Sequence, residues 1–178
     1  MGSYKVGIKN IHSYYMQIQE VENPNNSKLK IKAIKYASDD LDDSIPFPLP
    51  QNFSWFMYLV GKPKSGKTTF LLSLIAKRGK FYNKKFDLIY VFSPSIFSGN
   101  LKDNPLDALP EEQKHTDLDK LEEVVQRIYG SDQRVLFIFD DIQHFLKGEI
   151  LRTFLHLINN RRHYTSGGCS IILTSQII

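Results

Sequence analysis

From Phe53 onward, short and mainly apolar runs alternate with longer stretches in which apolar residues recur every three or four positions. Brief apolar runs bounded by polar or turn residues predict strands buried on both faces, which belong to parallel sheets. They fall at Phe56 to Val60, Leu88 to Phe92, Val135 to Phe139 and Ser170 to Thr174. The helical period predicts a helix over Lys67 to Arg78, closed at Gly79, with Lys77 and Arg78 beside its C-terminal carbonyls. A second, over Asp117 to Tyr129, carries Leu118, Leu121, Val124, Val125 and Ile128 on one stripe, with a Thr116 to Asp119 cap signal before it and Gly130 after it. A third, Glu149 to Asn160, repeats the stripe at Ile150, Leu151, Phe154, Leu155 and Ile158. Strands alternating with helices predict an α/β domain with a mostly parallel sheet flanked by helices.

Residues 1–50 follow another pattern. Tyr4 to Lys9, Tyr14 to Val21 and Leu29 to Tyr36 alternate as strands do, and Asn23-Pro-Asn-Asn-Ser27 reads as a hairpin turn between the last two. Lys28, Lys30 and Lys32 share one strand face, read either as solvated or as contacting phosphate. Asp39 to Asp43 holds four carboxylates in five residues and precedes Ser44-Ile-Pro-Phe-Pro-Leu-Pro50. Proline removes ladder donors, so this stretch reads as an extended linker, with the acids solvated rather than metal-bound. The expected organisation is a small β-rich segment with an acidic, proline-rich linker over residues 1–50. A core over 51–178 follows.

Composition narrows the classes. The 178 residues are 42% hydrophobic and 24% charged, the balance of an ordinary globular chain. No apolar run approaches the ~20 residues of a membrane helix, and the first 30 residues lack a signal-peptide core, so an intracellular protein without membrane contact is expected. One cysteine, Cys169, excludes an internal disulfide, and no CxxC or HExxH spacing points to zinc. The net charge of +4 suits an anionic partner without requiring one.

The strongest chemical signal is Gly61-Lys62-Pro63-Lys64-Ser65-Gly66-Lys67-Thr68, which fits G-x-x-x-x-G-K-[ST] between a predicted strand and a predicted helix that continues through Thr69. Glycines let backbone N–H groups close around phosphate oxygens, and the helix N-terminus adds roughly half a positive charge facing them. Lys67 is then placed for the β- and γ-phosphates, and Thr68 for Mg²⁺. A second signal is Val135-Leu-Phe-Ile-Phe-Asp140-Asp141, an apolar strand ending in two carboxylates at the edge where open parallel sheets bind ligands. In this Walker B pattern Asp140 is expected to hold Mg²⁺ and Asp141 to orient or deprotonate an attacking water. Gln176 ends the next buried strand, where a polar side chain senses the γ-phosphate or positions water. Arg161 and Arg162 read either as helix-end cations or as a finger directed at a neighbour's nucleotide. His144, His156 and His163 read as structural or surface residues, and Cys169 as buried and inert.

Gly61 to Thr68, Phe86-Asp-Leu-Ile-Tyr-Val-Phe-Ser-Pro94, Phe139-Asp-Asp-Ile142 and Arg161-Arg-His with Ile171-Ile-Leu-Thr-Ser-Gln176 together resemble the genome-packaging ATPases of large DNA viruses and virophages. These are relatives of poxvirus packaging ATPases in the FtsK–HerA superfamily. The resemblance covers about residues 55 to 178, and because such a core normally continues with another strand and helix after the position of Gln176, it implies a core cut short at its C-terminus. It implies a RecA/ASCE-like P-loop NTPase core that uses ATP and Mg²⁺, with Lys67, Thr68, Asp140, Asp141 and Gln176 matching the nucleotide motifs. Arg161 or Arg162 matches the arginine-finger region. It further implies a ring of copies with active sites at subunit interfaces, sequence-tolerant electrostatic contact with double-stranded DNA, and docking to a capsid component. The expected setting is an infected host cell, in a cytoplasmic viral factory or on the virion. The residues leave two other readings open: a nucleoside or nucleotide kinase, which uses the same phosphate loop, and a nucleotide-gated scaffold without turnover.

Overall fold

The computed structural model describes residues 40–77, 81–97 and 104–176. The strand-like alternation read at residues 4–36 lies outside the described residues. The rest is a parallel sheet with helices on both faces, the α/β architecture expected. Its strands are β1 (Phe56–Gly61), β2 (Leu88–Phe92), β3 (Lys114–His115), β4 (Val135–Phe139) and β5 (Cys169–Gln176), and its helices α1 (Lys67–Ile75), α2 (Leu121–Ile128) and α3 (Gly148–Asn160). The spatial order is β1-β5-β4-β2-β3 with every pairing parallel.

β4 is the centre. All five of its residues are buried, because parallel neighbours occupy both of its edges and helices both of its faces. The pleat sends Val135, Phe137 and Phe139 to one side, where Leu121, Val124, Val125 and Ile128 of α2 and Phe154 and Leu157 of α3 cover them. Leu136 and Ile138 point to the other side, against Leu71, Leu74 and Ile75 of α1 together with Ile45, Trp55, Tyr82 and Phe86. On that second side Lys85 donates to the Asp42 carboxylate at 2.7 Å, a bond that with the Ser44 hydroxyl holds the Asp42 carboxyl down to about 2. Asp42 is thereby tied to the core, while Asp40 and Asp43 are exposed as expected of solvated acids.

Several boundaries differ from the periodic expectation. α1 ends at Ile75, where Ala76 turns extended, so Lys77 is not in its last turn; Arg78 and Gly79 lie outside the described residues. α2 begins at Leu121 rather than Asp117, because the Asp117 carboxylate accepts the N–H of Asp119 and the Leu121 N–H reaches the Leu118 carbonyl, spending residues 117–120 on turns. In α3 the buried residues are Phe154 and Leu157, and Leu155, predicted on the apolar stripe, is exposed. Periodicity did not mark β3, which has only two residues. β5 is longer than expected and begins at Cys169, whose thiol is pushed up to about 12 by burial, as an inert packing residue requires.

The entry to β5 is tightly fixed. Gly168 has φ +109°, and a Cβ there would stand 2.4 Å from the Phe53 carbonyl oxygen. Only glycine lets the chain pass this close before turning into the sheet. That crossing sets the register of β5 against β1 and β4, and so decides which residues stand level at the sheet's C-terminal edge.

Candidate functional site

Three strand ends converge at that edge. β1 stops at Gly61 and the chain turns through Lys62–Gly66 into α1, with Lys64 at φ 63° and Gly66 at φ 88°. A Cβ at Gly61 would stand 2.6 Å from the Ser65 hydroxyl oxygen, and one at Gly66 would be strained by its left-handed backbone. α1 has neither a side-chain cap nor an acid in its first turn. Its leading N–H groups therefore present uncompensated positive potential, which favours an anion there. Lys67 lies back over the loop, its Nζ donating to the carbonyls of Gly61 at 2.9 Å and Lys62 at 3.1 Å.

β4 carries the acids and the register supplies their partners. Phe139 of β4 pairs with Phe92 of β2 and with Leu173 of β5. The next residues on the three strands, Asp140, Ser93 and Thr174, consequently stand level. Thr174 Oγ1 donates to Asp140 Oδ1 at 2.7 Å and Ser93 Oγ donates to Asp140 Oδ2 at 3.1 Å. The Ser93 oxygen also accepts the Ile96 N–H at 3.1 Å, joining the acid to the loop that leaves β2. Asp140 is only 3% exposed, and burial pushes its carboxyl above the usual carboxylate range. The two hydroxyls and the Lys67 charge pull the other way, while neighbouring Asp141 adds to the rise.

Asp141 sits in the left-handed region at φ 53°. Its N–H reaches Thr174 Oγ1 at 3.3 Å and its Oδ2 accepts Gln176 Nε2 at 2.7 Å. Its Oδ1 is buried with no protein partner. Gln143 donates to the Thr174 carbonyl at 3.2 Å and closes the network.

This arrangement fits a phosphate ester carrying a divalent cation. Among the described residues there is no group of three or more His, Cys, Asp or Glu side chains that would hold a metal alone. Mg²⁺ characteristically uses one or two carboxylates together with substrate phosphates, and a raised, buried Asp140 beside an unpartnered Asp141 oxygen is the environment a cation relieves.

The structure brings together the loop Gly61 to Thr68, Asp140, Asp141 and Gln176. It does not bring Arg161 and Arg162 to them. Arg161 donates through Nε to the Ser54 carbonyl and through Nη1 to the Ile158 carbonyl, both at 2.9 Å. Ser54 precedes β1, so this arginine lies at the N-terminal edge of the sheet, about 20 Å from the phosphate loop at 3.3 Å per residue of strand. Ser93 and Thr174 are the site residues that motif reading missed. Their signal was a hydroxyl at or just past the end of a predicted buried strand, but choosing them required knowing which strands flank β4.

The raised Asp140 carboxyl has a measurable consequence. Below the unfolded-state value near ~3.9 the group is neutral in both states and costs nothing; as pH rises through the raised folded value, ionisation progressively destabilises the fold. Asp140→Asn is therefore expected to melt above the wild type at pH 8, by roughly 2–4 °C per kcal/mol relieved, with the gap closing toward pH 4. The same variant is expected to lose stabilisation by Mg·ATP. A lower melting temperature for the variant at pH 8 would show that the carboxylate is needed for folding rather than tolerated for binding a cation.

A family model described as AAA domain matches residues 55–177, well over half of the chain. No curated protein is matched by the chain. Among the described residues, no helix is long and apolar enough to cross a membrane.

Proposed function

The chain belongs to the AAA domain family of P-loop NTPases, and from that premise we propose that it is an ATP-hydrolysing motor that moves double-stranded DNA, in the manner of the viral genome-packaging ATPases it resembles. The observation that carries the hydrolytic part is the 2.7 Å bond from Gln176 to Asp141, which sets a base and a polar sensor side by side on adjacent strand ends facing the phosphate loop. In this reading Gly61 to Thr69 cradle the triphosphate, Lys67 leaves its loop carbonyls for the β- and γ-phosphates, and Thr68 and Asp140 hold Mg²⁺. When bound, the cation neutralises charge developing on the transferred phosphoryl group. Asp141 takes the proton of the attacking water, while Gln176 fixes the carboxylate plane.

The DNA part is supported by the resemblance and by the positive net charge. It includes a ring of copies, docking to a capsid component and a location in the infected cell. Because Arg161 and Arg162 lie at the far edge from the chain's own phosphate loop, a finger role for either is a role toward a neighbouring copy. Contact with DNA is expected to be electrostatic and sequence-tolerant. The test is steady-state ATP hydrolysis with duplex DNA of several sequences at 50 and 200 mM salt. Stimulation of several-fold that is equal across sequences and fades at high salt is the expected result. Turnover indifferent to DNA at both salts would remove the translocation reading and leave the hydrolase.

A further inference from the structure

The edge of the sheet opposite the phosphate loop holds a cavity of about 340 Å³ lined by Pro50, Asn52, Ser54, Trp55, Arg161 and Arg162. Its lining is rich in donors: two guanidiniums, an amide, a hydroxyl and an indole N–H, with no carboxylate among them. The two carbonyl bonds of Arg161, to Ser54 and Ile158, fix its planar fork in place before any ligand arrives. Ser54 and Trp55 are each more than nine-tenths buried, and the Ser54 Oγ and Trp55 Nε1 atoms have no hydrogen-bond partner among the described residues. Both atoms are closed off by the surrounding protein, so the donors the cavity offers to a ligand are the two guanidiniums and the Asn52 amide, and their positive charge favours an anion.

We propose that this cavity binds a phosphate group, with Arg161 and Arg162 supplying charge, Asn52 supplying a further donor, and Pro50 and the indole ring forming an apolar wall against the ester substituent. Guanidinium forks match phosphate oxygens in a bidentate way, and clustered neutral donors complete such sites. The site is complete within one chain and separate from the phosphate loop, so it stands whether or not the chain moves DNA. The phosphate belongs either to a small ligand or to a nucleic-acid backbone, and the same chemistry recognises both.

Trp55 makes the test direct. It is the chain's single tryptophan, and it lines the cavity while its ring is held against Tyr82 at 5.2 Å and Phe86 at 6.2 Å between centroids, so a ligand there is expected to change its emission. The full chain is titrated with inorganic phosphate, and separately with a short DNA duplex, ionic strength being held constant with chloride. A saturable change in Trp55 emission is expected with phosphate. It should weaken at least tenfold in Arg162→Gln and in Asn52→Ala and persist unchanged in Lys67→Ala. If duplex DNA gives the same Arg162-dependent change, the phosphate is a backbone phosphate; if only inorganic phosphate does, it is a small ligand. No saturable change with either ligand, an equal change with chloride, or loss of the change in Lys67→Ala would overturn the proposal. Circular dichroism of the variants confirms that each is folded before it is scored.

Discussion

Lys67→Ala is expected to abolish measurable Mg·ATP binding and to lower turnover by at least about 10²–10³-fold, the scale of removing one charged or hydrogen-bonding group from a transition-state clamp. The reason is positional. Lys67 opens α1 immediately after the left-handed Gly66, and its Nζ already lies over the loop, 2.9 and 3.1 Å from two carbonyls. Those neutral acceptors are weak competitors for the ammonium beside a triphosphate, where charge-assisted bonds are about twice as strong as neutral ones. The substitution also removes two loop bonds, so a small stability loss, net ~0.5–1.5 kcal/mol per bond, accompanies it. Calorimetric titration with ATP and Mg²⁺, read beside a melting curve, separates the effects. Near-normal ATP affinity in a folded Lys67→Ala protein contradicts the phosphate-loop assignment.

Asp141→Asn is expected to do the reverse: Mg·ATP binding survives while turnover falls by about 10²–10⁴-fold, the usual contribution of a positioned general base. The substitution is clean here for two structural reasons. Asparagine tolerates the left-handed backbone that Asp141 adopts at φ 53°, and its carbonyl oxygen still accepts the Gln176 amide. What it loses is the ability of the carboxylate to take a proton. A fall in kcat with KM unchanged identifies a group acting in the transition state. Unchanged kcat would mean that another group activates the water.

How much of this was legible in the chain depends on the range over which each feature is encoded. The phosphate loop is local: eight residues determine a strand end, a turn and a helix start, and the structure has all three. The buried strands were equally plain, because a parallel strand covered on both faces must be apolar at every position. The ends of the helices were not. Asp117 has an alternative use for its carboxylate in a turn, and propensity does not say that the turn wins. Leu155 was read as buried because the stripe is wider in sequence than the surface that α2 and the sheet leave for α3.

The partners of Asp140 were illegible for a different reason. Ser93 and Thr174 lie 47 positions before and 34 positions after Asp140, and their level placement follows only from the order β1-β5-β4-β2-β3 and its register. The same order puts β5, the last strand in the chain, between the phosphate-loop strand and the acid strand, and so carries Gln176 to Asp141. Sequence placed Arg161 correctly at a helix end. It could not show that the guanidinium would close on the carbonyl of Ser54, 107 positions earlier.

This site is expected to cleave the γ-phosphoryl bond of ATP and give the phosphoryl group to water. The decisive experiment incubates the full chain with Mg²⁺ and γ-labelled ATP under single-turnover conditions, with and without a nucleoside acceptor, and follows the label. The label is expected to appear as inorganic phosphate at a rate indifferent to the nucleoside and lost in Asp141→Asn. Label retained on bound ATP, or transferred to the nucleoside, would contradict the account.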